Sequence, residues 1–455
     1  REILRNSSAG FGWLALSGML NAGEQFTPRA KNVIFCFMDG GPSHVDTFDP
    51  KPLLKKFEGK KIGETGAKSK RAQTGSSANR LWFGCPWEFR QRGKSGLWVS
   101  DLFPNIAKVA DHLCVVRSMV GELPLHGQQN LLLHTGRILG QAPSLGSWVS
   151  YGLGTENHNL PAYVVLNNDW VPNGGLENFG SSFLPAYHQA TMFRAKGVPV
   201  DNITPSDSAG IQRRKLALLA KQDQEFSQQV SKASAVESAI ANYETAFRMQ
   251  STVPDIADIS AEPEHIRKLY GVDSKDQHQQ FYATQALRAR RLVEAGVRFV
   301  EITCPSFDGN NSPWDQHGHL KKNHEKNARI TDQSVAALIV DLEQRGLLDE
   351  TIVLWAGEMG RTPHTSKITP TCGRDHHVNG YSIFMAGGGF KGGMAYGQTD
   401  EFGNSATENP VDIHDIHATV LNQLGIDHEE LTFRHGGRDH RLTDVHGRIL
   451  RDLLS

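Results

Sequence analysis

The sequence predicts a doubly wound α/β fold: a mostly parallel sheet with helices on both faces. Three observations carry this expectation. Short apolar runs recur without polar alternation, as strands buried on both faces do. Segments of helical period lie between them, the alternation that builds parallel sheets. Finally, acids and histidines gather where the runs end, and in such sheets ligands bind outside the carboxyl ends of the strands.

The elements follow in order. Residues 1–23 read as an export signal. Arg1 to Arg5 form a basic start, Ala9 to Leu20 a small-apolar stretch, and Asn21-Ala22-Gly23 an end. The opening resembles the tail of a twin-arginine signal, which predicts a periplasmic or extracellular protein. Residues 31–455 then read as one domain. Val33 to Met38 is the first buried strand, and it ends in Asp39-Gly40-Gly41-Pro42-Ser43-His44. Cys114 to Val116 leads towards His126. Val297 to Thr303, interrupted by Arg298 and Glu301, leads to Asp315, and Thr351 to Ala356 leads to Glu358. Ser382 to Ala386 leads to Gly387-Gly388-Gly389. Val335, Leu338, Ile339 and Leu342 make one helical face, and a later helix closes at Gly425. Residues 59–98, with Trp82, Phe83, Trp87 and Trp98, read as a surface insertion near the site. Residues 208–250 read as a peripheral helix with Val236, Ile240, Tyr243 and Phe247 on one stripe.

Composition narrows the function. The 455 residues carry 48 basic and 49 acidic side chains, a net charge of −1, which removes the electrostatic case for nucleic acid or an anionic membrane as partner. No apolar run approaches the ~20 residues that span a bilayer. The five cysteines form no C-x-x-C pair. Of 20 histidines, twelve fall in residues 301–455, so the imidazoles are concentrated where the ligand-type acids are.

Those residues form the candidate site. Asp39, Asp315 with His317 and His319, Glu358, and Asp375 with His376 and His377 all lie at or next to predicted strand ends. Mixed carboxylate and imidazole sets suit zinc, manganese or iron, whereas oxygen alone suits magnesium or calcium. His126 opens a predicted helix, where free N–H groups favour an anion. Arg361 could grip a substrate oxyanion through its guanidinium fork. Ser43 and Thr47 are possible nucleophiles outside any Gly-x-Ser-x-Gly elbow. Asp412 reads as a helix cap.

Six stretches carry a resemblance to a known family. They are Asp39 to Pro52, Trp314-Asp-x-His317, Gly346 to Asp349, Gly357 to Pro363, Gly373 to His377, and Asp415 to Thr419. The chain resembles, from Lys31 to Leu450, the exported sulfatase-like proteins called "domain of unknown function 1501" within the alkaline phosphatase and sulfatase superfamily. The resemblance implies an alkaline phosphatase-like fold and a hydrolase of sulfate or phosphate esters with one or two divalent metal ions (zinc, calcium, magnesium or manganese). Its substrate would be an anionic ester, with a sulfated polysaccharide as one form. The alternative is a catalytically degenerate surface protein that binds metal and an anionic glycan. By analogy Asp39 supplies the first-strand carboxylate, Asp315 and His317 hold another metal with His376, and Glu358 replaces the usual Asp. The phosphatase spacing Asp-x-x-x-His points to His319, while the family's Trp-Asp-x-His points to His317, which we favour. His134-Thr-Gly-Arg137 matches the tail of the sulfatase motif, and counting back lands on His126 where Cys or Ser would stand. The formylglycine motif is therefore not expected, and either His126 or a water attacks.

Overall fold

The first apolar run forms strand β1, Asn32–Phe37, buried at every residue. In this computed structural model it lies inside an eight-stranded sheet. The residues described are 26–65, 79–167, 170–195, 197–201, 203–205, 207–227, 233–306 and 312–455, so the predicted export signal lies outside them. The other strands are β2 (Leu113–Met119), β3 (Tyr163–Asn167), β4 (Thr191–Arg194), β5 (Phe299–Thr303), β6 (Thr351–Ala356), β7 (Tyr381–Ala386) and β8 (Met394–Tyr396). Their spatial order is β8-β2-β7-β6-β1-β5-β3-β4. β1 pairs in parallel with β5 on one side and β6 on the other. β5, β3 and β4 continue in parallel, and β8 is parallel to β2. Only β7 is reversed, antiparallel to both β6 and β2.

Strand alternation sorts the sheet residues into two cores. Ile34, Cys36, Val300, Ile302, Val353 and Trp355 face one layer of helices. Val33, Phe35, Phe37, Ile352 and Leu354 face the other. The second layer holds α1 (His126–Thr135), α2 (Leu145–Leu153) and α8 (Ile413–Gln423). Two more helices, α3 (Ala209–Ser227) and α4 (Ala233–Ala257), form an arm at the β4 end of the sheet. A short α5, Glu264–Tyr270, precedes α6 (Gln277–Glu294) and α7 (Leu320–Gln344), which build the first layer. Among the described residues, no helix is long and apolar enough to cross a membrane.

Several expectations change. The reversed β7 carries Gly387-Gly388-Gly389 to the edge opposite Asp39, where a Cβ on Gly387 would strike the carbonyls of Leu348 and Thr351. Instead, the segment entering β7, with His376, arrives at the carboxyl edge of the parallel strands. The predicted peripheral helix is the α3–α4 pair, and of it Met249, Val253 and Ile256 reach the core. The aromatic insertion is partly internal: Trp82 is fully buried with Val45, Leu54 and Ile62. Strands β3, β4 and β8 are short or mixed in pattern and were not expected. Asp412 caps α8 as read, accepting from the backbone N–H groups of His414 and Asp415 at 2.8 and 3.2 Å. Glu301, which broke the pattern of β5, is buried and meets His134 Nε2 at 2.9 Å.

The fold also buries histidines in the neutral form. Burial depresses His44 and His188 to about 4, and His364 and His417 to about 3. Unfolded histidines take up protons below about pH 6.5, whereas these four do so only far lower. Between those values the unfolded chain binds more protons, so stability falls as pH falls. Calorimetry should therefore show the melting temperature dropping steeply from about pH 6.5 to 4.5. A flat profile across that window would mean these rings are charged or solvated in the fold.

Candidate metal centre

The site begins with a tight turn. Gly40 and Gly41 follow Asp39 with φ of +106° and +72°, a region open to glycine. The turn lets the backbone pass close to two neighbours, and it points Asp39 into the protein. Arg361 holds it in place. This side chain is fully buried, its Nε donates to the Gly41 carbonyl at 3.1 Å, and its Nη2 donates to the Gly40 carbonyl. Its Nη1 lies 2.7 Å from Asp315 Oδ1. The Gly40 N–H in turn reaches both oxygens of Glu358 at 3.2 and 3.1 Å.

Asp315 is the hub. His126 Nε2 lies 3.3 Å from its Oδ2, while His317 Nε2 and His376 Nε2 lie 3.1 and 3.3 Å from its Oδ1. His126, Asp315 and His376 each offer a ligand atom within 4.8 Å of the other two. Both of these partly buried rings are oriented from behind. His126 Nδ1 sits 2.5 Å from Glu358 Oε1, and His376 Nδ1 sits 2.7 Å from the Pro124 carbonyl. With Nδ1 donating to an acceptor, Nε2 is the nitrogen that would turn its lone pair to a metal, once His126 gives up the proton it shares with Asp315, the arrangement usual for metal-ligating histidines. His317 is half exposed at the rim, 3.0 Å from His376 Nε2.

Charge follows geometry. Burial works to raise the Asp315 carboxyl, yet hydrogen bonds from His126, His317 and His376 and the Arg361 charge hold it far below the usual range. Burial opposes a charged His126, but its bonds to Asp315 and Glu358 prevail and lift it to about 9. Asp39 is pushed up to about 8, first by burial and then by the Glu358 charge. Its Oδ1 receives only long bonds, 3.4 Å from Asn130 and 3.3 Å from Ser312. Its Oδ2 has no partner among the described residues. A buried carboxylate beside another acid is costly without a cation. The donor set and this orphaned oxygen both fit a divalent ion.

The sequence-predicted residues divide. Asp39, His126, Asp315, His317, Glu358 and His376 come together. Asp375 lies just behind them, 2.9 Å from Arg80 and 3.5 Å from His317. His377 does not join, because successive residues of the extended His376–His377 pair face opposite ways. It stacks on His44 instead, 5.8 Å between centroids. His319 is exposed and caps α7 from the left-handed region. The expectation that Arg361 grips a substrate is corrected: every nitrogen is spent inside the protein, so it positions Asp315 and the glycine turn. Ser43 is buried, and the Thr47 hydroxyl donates to its carbonyl at 2.9 Å. Asn130 and Ser312 were missed. Asn130 could have been found, since it lies one helical turn after His126 on the same face of α1.

Comparison with known proteins adds a family. The model for "Protein of unknown function (DUF1501)" matches residues 30–454. The chain belongs to this family. No curated protein matches this DUF1501 chain in sequence. Among solved structures it is similar to a sulfatase from Pseudoalteromonas sp. at 12% identity and TM-score 0.38, covering 93% of this chain and 73% of that one. It is similar to a 2-O GAG sulfatase at 10% identity and TM-score 0.36, with 93% and 74% covered. It is also similar to a mutant of TAB5 alkaline phosphatase with Mg bound, at 9% identity and TM-score 0.33, with 80% and 92% covered.

The glycine turn gives this DUF1501 protein a sharp test. A Cβ on Gly40 would lie 2.5 Å from the Asp315 nitrogen and 2.7 Å from the Trp314 nitrogen, both backbone atoms that cannot step aside. Gly40→Ala should cost more than about 2 kcal/mol in a chemical unfolding titration. Gly175→Ala is the control, since its φ of +71° is also positive but nothing lies within 4 Å. Equal losses would assign the cost to backbone strain alone, and not to the crowded turn at the site.

Proposed function

We propose that this protein hydrolyses sulfate or phosphate esters at a divalent-metal site held by His126, Asp315 and His376, and that it does so after export. The supporting observation is the convergence of those three ligand atoms within 4.8 Å, beside the partnerless Asp39 carboxylate oxygen. Two imidazoles and a carboxylate suit zinc or manganese. Asp39, with Glu358 behind it, supplies the oxygen donors for a second, harder ion such as magnesium or calcium. A cation bound there would polarise the ester oxygens as a Lewis acid.

The chain's own residues do the rest. Glu358 and the Pro124 carbonyl hold the Nδ1 protons of the two histidines, keeping both Nε2 atoms turned to Asp315. Arg361 keeps Asp315 ionised and fixes its plane. The N-terminal end of α1 opens at His126 and favours the negative charge of an ester group. His317, half exposed at the rim, is the polar side chain an incoming ester meets. His126 is the residue whose role changes most from the sequence reading. A ring with a carboxylate at each nitrogen cannot also attack sulfur or phosphorus, so we assign it to the metal and assign the attack to water. The substrate is an anionic ester, and a sulfated polysaccharide is the form we would test first.

Metal content measured on purified protein, with hydrolysis of aryl sulfate, aryl phosphate and bis-aryl phosphate, checks this reading. At least one ester should turn over, stop with chelator and resume with added zinc, manganese, magnesium or calcium. Saturating metal at ~100 times its Kd should add about 2.7 kcal/mol of stability. Asp315→Asn should lose metal and lower kcat/KM roughly a thousandfold. Metal binding with no turnover of any ester would leave a metal-binding protein without this catalysis. Turnover unchanged by chelator and by Asp315→Asn would move the chemistry elsewhere.

A further inference from the structure

A second feature lies at the free edge of the sheet. Strand β4 ends the sheet, and between it and the α3–α4 arm runs a groove of about 1000 Å³. Its lining is unlike that of the metal centre. Tyr187 and Tyr243 stand 44% and 51% exposed along it, with Trp170 and Phe247 also in the wall. Amides such as Asn242 and Gln189 fill the spaces between rings. The two charged residues in its described lining, Arg194 and Asp201, pair with each other at 2.8 and 2.6 Å, which offsets their charges.

Two nitrogens in the wall lack partners among the described residues. His188 is 4% exposed, and its Nδ1 meets the Ser150 hydroxyl at 2.9 Å. Its Nε2 has no partner among the described residues, and neither does the indole nitrogen of Trp170. Buried polar groups are rarely left unsatisfied, and a pair beside one groove points to a ligand rich in hydroxyls. An added peptide strand fits less well. The outward N–H groups on either side of Met192 are already used, Ala190 on the Phe179 carbonyl at 3.1 Å and Arg194 on the Pro199 carbonyl at 2.9 Å.

The groove and the metal centre share a segment. Asn167 and Trp170 line the groove, and Asn167 is the last residue of β3, at the carboxyl edge. Three residues beyond Trp170, the Asn173 carbonyl accepts from Asn130 at 2.9 Å and its amide donates to Ser312 at 2.9 Å. Asn130 and Ser312 are the two residues whose side chains bond the Asp39 carboxylate among the described residues.

We propose that this groove binds a chain of uncharged sugar rings, whose faces stack on Tyr187 and Tyr243 and whose hydroxyls meet the amides, Trp170 and His188. Aromatic faces suit the axial C–H surface of a pyranose, and neutral amides suit its hydroxyls. The further step, that the sugar chain is the body of the ester substrate, rests on the hydrolase reading. Binding does not.

Calorimetry on chelator-treated full-length protein keeps the two apart. The probes are cello-, manno-, xylo- and laminari-hexaose, none of which carries an ester, with an extended octapeptide as the rival. At least one hexasaccharide should bind. Tyr187→Ala and Tyr243→Ala, at exposed positions, should each weaken it roughly tenfold without lowering the melting temperature. Trp170→Phe, which keeps a ring and removes the donor, should weaken it about threefold. Failure of all four sugars to bind, or binding of the octapeptide alone, overturns the proposal even if esters are hydrolysed. Sugar binding that the two tyrosine variants leave unaltered also overturns it. Sugar binding lost in those variants supports it, and does so even where no ester is turned over.

Discussion

A guanidinium sealed away from water governs this site. Arg361 joins the glycine turn after β1 to the carboxylate of Asp315, two segments far apart in sequence that must meet for any ligand set to exist. An unpaired buried arginine is expensive, so the fold is stable only when both partners are in place. The pairing keeps Asp315 ionised and aimed, and the three histidines gather around that charge. Preorganisation of this kind is what a metal centre requires of its surroundings.

Behind the ligands, negative charge is in excess. Asp39 and Glu358 are both buried, and the Glu358 charge adds to burial in pushing the Asp39 carboxyl up. His126 offsets part of that charge by being held protonated, a role that a divalent ion would take over with less desolvation cost. The same imidazole therefore serves as a stand-in counter-ion and as a ligand. This explains why it sits between two carboxylates and not free at the helix end, where a nucleophile would need to be.

A second buried ion pair plays a comparable part on the insertion side. Arg374 meets Asp46 through two bonds at 2.6 and 2.9 Å, and its guanidinium lies 4.4 Å over the Phe83 ring. It also donates to the carbonyls of Phe83, Gly84 and Thr362. One side chain thus pins the aromatic insertion to the loop that carries Asp375 and His376. The insertion lies next to the site as its sequence suggested, with Arg80 2.9 Å from Asp375, but its Trp82 and Phe83 are buried and not on the surface.

Much was legible in the sequence because it is local. Unbroken apolar runs identify strands buried on both faces, and β6 begins and ends where its run does. Acids and imidazoles at strand ends follow from the same logic, and five of them do meet, joined by His126 from the start of α1. The motifs also placed the chain in its family. What remained depends on direction and distance, which no local pattern encodes. Whether β7 runs with or against its neighbours decides which of its ends reaches the site, and its apolar residues look the same either way. His376 and His377 are chemically identical, and only strand alternation sends one to Asp315 and the other to His44. Arg361 reads as a grip for a substrate oxyanion until tertiary contacts bury it and occupy its nitrogens. Asn130, Ser312 and the groove beside β4 exist only through contacts between distant segments, because a surface made from several elements has no period in the sequence.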